Sequence, residues 1–188
     1  MQLNRGMVFL FVTLLPLASQ ALRVSAVLGF GSSTSSRDSS YNEGPFLQAY
    51  AVEYDYDSRN VVGVEHVRSL SLSPMSTAMS YTGLAYKYYL NGIPSPYNDL
   101  GGMKANTVEY RDWSVYTGGS FGFAQSNAPQ DIDKSRAAAG IYIAPKGGVD
   151  FPMSGNWGVR SELIFQMLVV GSGSMSSMGL AGGVYVLF

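Results

Sequence analysis

The stretch Met178-Gly-Leu-Ala-Gly-Gly-Val-Tyr-Val-Leu-Phe188 decides the fold. Apolar residues recur at every second position, Met178, Leu180, Val184, Val186 and Phe188. Gly179, Ala181, Gly183 and Tyr185 stand between them. A period of two means a strand with two unlike faces. A soluble protein rarely carries a strand so apolar on one face and so bare on the other. A strand with one face in lipid and one in a crowded interior has this composition. The bare face, Gly179, Ala181 and Gly183, is expected to make room for larger interior groups on the neighbouring strand.

Seven further segments alternate in the same way: 22–31, 45–56, 61–72, 77–90, about 108–124, 136–153 and 157–169. In 22–31 the apolar face is Val24, Ala26, Leu28 and Phe30. In 45–56 it is Phe46, Tyr50, Val52, Tyr54 and Tyr56, interrupted by Gln48. In 157–169 it is Val159, Leu163, Phe165, Met167 and Val169, opposite Arg160, Glu162 and Gln166. Pro145 would remove a ladder hydrogen bond inside 136–153, so a bulge is expected over 145–148. With the N-terminal end in the periplasm, the turns at 57–60 and 154–156 lie on that side and are short. The connections 32–44 and 125–135 lie on the cell surface and are longer, which is the asymmetry of outer-membrane barrels. The connection 91–107 is too long for its side, so a neighbouring strand extends into it or it carries an extra element.

Composition agrees with many tightly packed strands. The 188 residues include 22 glycines, 13 tyrosines and 9 phenylalanines, with only 13% charged residues. A secreted β-sandwich could share those totals, and the alternation along the chain separates the two. Twelve Lys and Arg against thirteen Asp and Glu nominate neither nucleic acid nor anionic lipid as partner. Without cysteine there is no disulfide and no thiolate metal site. A single histidine and scattered carboxylates make no metal cluster, and no cofactor motif occurs. Gly118-Gly-Ser-Phe-Gly-Phe123 could pass for a phosphate loop, but no helix follows it. Trp113 and Trp157 suit an interfacial girdle.

Residues 1–21 read as an export signal. Asn4 and Arg5 precede an apolar run over 7–17, and Ser19-Gln20-Ala21 fits small-x-small cleavage after Ala21. The run is shorter than the roughly 20 residues of a membrane helix. One domain, 22–188, follows.

Signal, strand number, alternation and the final aromatic together resemble the small eight-stranded bacterial outer-membrane barrels, the class of OmpX and the OmpA membrane domain. The resemblance implies an all-β, up-and-down antiparallel transmembrane barrel. It implies a monomer in the outer membrane amid lipid and lipopolysaccharide, delivered to the barrel assembly machinery through Phe188. It also implies a non-enzymatic role in structure, adhesion or protection, exercised through surface loops.

The charges supply the candidate site. Glu53, Asp55, Glu65, Lys87, Lys146, Asp150, Arg160 and Glu162 all fall on the face opposite the large apolar residues. On a membrane barrel that face is the lumen, because Arg or Lys facing mid-bilayer lipid costs roughly 2–4 kcal/mol. Eight strands enclose an interior just wide enough for side chains to fill. An ion-paired plug is therefore expected. The alternative is a gate, in which Lys87 or Arg160 exchanges carboxylates and opens a narrow ion path. His66 and Arg68 fall on the lipid side near the outer end of their strand, suited to lipopolysaccharide phosphates. A lipid A hydrolase using His66 and Ser80 is the remaining alternative. Ser80 would pair near Ser69, about three residues from the level of His66, and no carboxylate of matching parity stands nearby.

Overall fold

The computed structural model describes residues 22–35, 46–70, 78–94, 113–127, 138–154, 156–170 and 173–188. The expected export signal, 1–21, lies outside the described residues. Eight strands form the fold: β1 (Leu22–Ser35), β2 (Phe46–Asp55), β3 (Asn60–Leu70), β4 (Ala78–Tyr89), β5 (Ser114–Asn127), β6 (Ala138–Ser154), β7 (Trp157–Val170) and β8 (Gly173–Leu187). Each pairs antiparallel with its neighbour in sequence, and β1 pairs with β8, so the sheet closes into a barrel. Backbone bonds finish the seam. Phe188 N donates to Leu22 O at 2.9 Å, and Leu22 N donates to Phe188 O at 3.3 Å. Closure leaves no unpaired strand edge.

Alternation sorts the side chains as the sequence pattern requires. Outward stand Val24, Leu28, Phe30, Val52, Val64, Leu84, Phe121, Phe123, Ile141, Leu163, Phe165, Leu180 and Val184, all exposed. Contiguous apolar surface on this scale is foreign to a protein in water and natural to one in lipid. Tyr56, Trp113, Trp157 and Phe188 gather at the end of the barrel where β2 leads into β3 and β6 into β7, hereafter the turn end. Inward stand most of the described ionisable residues, several tyrosines and many small residues.

The narrow bore explains the small residues. The register sets Tyr116 opposite Gly148 and Tyr185 opposite Gly158. A Cβ on Gly148 would lie 2.5 Å from Tyr116 Oη and 2.7 Å from Cζ. Glycine there gives the ring its place. The bare face of β8 serves β7 in the same way, with Gly183 opposite Arg160 and Ala181 opposite Glu162.

Several details depart from the sequence expectation. Strand β8 begins at Gly173, five residues before the apolar alternation does, and β1 continues to Ser35. These serine-rich ends pair with each other, Ser32 with Met178 through Ser35 with Met175. Backbone pairing needs no apolar face, so strands outlast their pattern. No bulge forms at 145–148. Ile143 pairs with Met167 and Lys146 with Ile164, so the ladder skips Pro145 without changing register. The shift comes between Pro152 and Ser154, beside the turn. Strand β5 begins at Ser114, not near 108. The start of the long connection folds beneath the barrel. Gly92 adopts φ of 90°, Ile93 N donates to Ser58 O at 2.9 Å, and Ile93 packs on Val61, Tyr89 and Tyr116. The rest of that connection and most of 32–44 and 125–135 lie outside the described residues.

Candidate functional site

The interior is stacked in three levels. Nearest the turn end is a network joined by Arg160. Its guanidinium grips Asp150 through Nε (2.7 Å) and Nη2 (2.9 Å), and Nη1 donates to Glu53 Oε2 (3.0 Å) and Ser25 Oγ (3.0 Å). Lys87 Nζ lies between two carboxylates, 2.6 Å from Glu53 Oε1 and 3.0 Å from Glu162 Oε1. Tyr116 donates to Glu162 Oε1 at 2.5 Å. All these side chains are buried almost completely.

Arg23 completes the network and is absent from the sequence assignment. It donates through Nη1 to Asp150 Oδ2 (2.7 Å) and Tyr89 Oη (2.9 Å), and lies 3.5 Å from Asp55. Tyr89 in turn donates to Asp150 Oδ2 at 2.6 Å. Arg23 has the inward parity of β1, opposite Val24 and Ala26, so the alternation rule reaches it. Its place two residues past the expected cleavage site obscured it. Tyr89, Tyr116 and Tyr185 carry no charge to mark them. Yet the Lys87 ammonium lies 4.7 Å from the Tyr116 ring centre, and the Arg23 guanidinium 4.9 Å from that of Tyr185. Such contacts stabilise a cation where water is scarce.

Midway, Lys146 pairs with Glu65, whose other oxygen accepts from Ser120 Oγ at 3.0 Å. Farther from the turn end, Gln166 donates to Tyr81 Oη (2.5 Å) and accepts from Ser177 Oγ (2.9 Å), amid a packed cluster that includes Val67, Tyr142, Ala144 and Leu168. Four cations thus face five carboxylates in a bore filled by side chains. Removing water from ions is costly, and dense ion pairing with extra hydrogen bonds offsets that cost.

His66 and Arg68 are exposed on the outer wall, apart from this interior. His66 Nδ1 lies 2.8 Å from Thr82 Oγ1. Ser80 pairs with Arg68, one residue from the expected Ser69 and two from the level of His66, and Thr82 is the residue beside His66. Among the described residues no carboxylate joins His66, and no nucleophile, base and orienting acid come together around it.

The fold matches proteins already solved. The chain is similar to Neisserial surface protein A, at 15% identity and a TM-score of 0.68, over 89% of this chain and 99% of that one. It is also similar to the N-terminal β-barrel domain of Pseudomonas aeruginosa OprF, at 14% identity and 0.51, over 90% and 100%. The fold is that of the small outer-membrane barrels. No protein-family model matches the sequence. No curated protein matches it either.

Proposed function

We propose that residues 1–21 direct export and that 22–188 stand in a bacterial outer membrane as a monomeric, non-enzymatic barrel. Its interior is a stabilising plug, and its task falls to the loops that the barrel presents at the cell surface. The filled, ion-paired lumen carries this reading: it offers neither a solute path nor a cleft for substrate. Specificity on a rigid scaffold belongs to loops, here those expected within 32–44 and 125–135. Contact with lipid and lipopolysaccharide surrounds the barrel, with His66 and Arg68 as polar contacts and Phe188 as the segment offered to the assembly machinery.

The test replaces these two loops with short Gly/Ser turns. Heat-modifiable migration of the barrel should persist while adhesion or resistance of the cell surface falls to the level of a deletion strain. A deletion strain with altered lipid A acylation would instead favour an enzyme. One observation supports a second reading as a narrow ion path: Lys87 is shared between Glu53 and Glu162, so a small movement could exchange its partners. Arg160→Ala conducting no better than wild type in planar bilayers would remove that reading.

A further inference from the structure

Strands β2–β4 interrupt the apolar belt. About seven to nine residues up from the turn end, the outward positions elsewhere include Phe30 on β1, Phe123 on β5, Phe165 on β7 and Leu180 on β8, all exposed. At the same height β2, β3 and β4 present Gln48, Arg68, Ser80 and Thr82. The register gathers them. Gln48 pairs with Arg68 and Arg68 with Ser80, while one step lower Tyr50 pairs with His66 and His66 with Thr82. Among the described residues, Arg68 and His66 Nε2 have no hydrogen-bond or ion-pair partner. With the rise of a strand and its tilt, Arg68 stands about 20 Å up, near the outer edge of a lipid-facing band about 25 Å tall.

Below this cluster the outer wall is hollowed. A concavity of about 390 Å³ runs across β3, β2, β1 and β8, walled by Val64, Val52, Ala26 and Val184, with Tyr50 and His66 among its lining residues. Of those residues Tyr50 and His66 stand highest above the turn end, so the hollow hangs directly under the polar cluster.

We propose that this sector seats one phosphorylated lipid of the outer leaflet, its phosphate on Arg68 and His66 and an acyl chain in the hollow. The proposal rests on the membrane reading above and names the lipid partner of its outer wall. Among the described residues Arg68 has no carboxylate partner, and such a cation selects an anion, to which Gln48 and Ser80 add hydrogen-bond donors. The apolar hollow beneath selects a lipid over free phosphate.

The full folded chain, in a neutral detergent without phosphate, is incubated with lipid A, with dephosphorylated lipid A, and with lipid A plus inorganic phosphate. Native mass spectrometry counts the lipid retained. One lipid A per barrel is expected, bound roughly tenfold or more tighter than the dephosphorylated form and not displaced by inorganic phosphate. Arg68→Gln and Ala26→Phe should each weaken retention by roughly tenfold, while Arg59→Gln, exposed at the turn end, should not. Wild-type retention by folded Arg68→Gln overturns the proposal, as does equal retention of both lipid forms. Heat-modifiable migration reports folding of every variant. A wild-type chain that never shows it overturns the barrel reading itself, which separates the two failures.

Discussion

At the scale of single residues, Arg160 is the side chain on which the interior most depends. It holds Asp150 by two hydrogen bonds and reaches Glu53 and Ser25 as well. Removing one partner of a buried network strands the other charges without water. Arg160→Met is expected to destabilise the folded barrel by about 3–5 kcal/mol, read from urea unfolding in lipid vesicles. A loss below about 1 kcal/mol would show that water enters and replaces the guanidinium. Asp57 acts outside the membrane, in the turn after β2. Its carboxylate accepts from the backbone N–H groups of Arg59 (2.7 Å) and Asn60 (2.8 Å) and from Asn60 Nδ2 (2.7 Å). The Arg59 N–H above all, then the Asn60 side chain, holds the Asp57 carboxyl below its ordinary range. A depressed folded pKa contributes stability above the unfolded value near 3.9, lost as pH falls through the lower folded value. The drop in unfolding midpoint from pH 7 to pH 3 should therefore be smaller in Asp57→Asn than in wild type. Equal drops would show that the turn carboxylate adds no acid sensitivity.

Among the elements, β5–β6 shows how a barrel this narrow holds tyrosines. Tyr116 fills the lumen because its cross-strand partner, Gly148, has no side chain. The Tyr116 hydroxyl then reaches Glu162 on β7. Gly148→Val must displace both the ring and the backbone carbonyl of Ser161 on β7, which disturbs that bond. Overpacking of this kind costs about 1–3 kcal/mol. The measurement is the unfolding midpoint, and Gly148→Val/Tyr116→Ala should recover part of the loss if the ring is the obstacle. Pro145 illustrates the opposite economy. The β6–β7 ladder omits it and resumes in register, so an outward proline costs local bonding without redirecting the strand.

For the whole molecule, inside and outside are inverted relative to a soluble protein. Ions fill the core and apolar side chains cover the surface. Leu163, exposed on the outward face of β7, lies between Glu162 and Ile164, which both point inward and are buried. Leu163→Arg should cost roughly 2–4 kcal/mol in a bilayer. In a detergent micelle, where water approaches more easily, the same change should cost less. Equal costs in the two media would argue that this face does not meet the hydrocarbon.

The sequence by itself determined strand number, strand order along the chain and the face of nearly every residue. Those follow from a period of two, a local property readable without knowing any partner. The parity of Glu53, Lys87, Asp150, Arg160 and Glu162 placed them in the lumen for the same reason. The tertiary structure alone decided which charges meet. Arg23 and Asp150 are 127 positions apart and touch because the barrel closes β1 beside β8 and faces β1 across the bore from β6. Strand ends at Ser35 and Gly173, the register shift between Pro152 and Ser154 and the pairing of Thr82 with His66 also needed the structure. Each depends on register between strands, and register is set by the packing of all eight together.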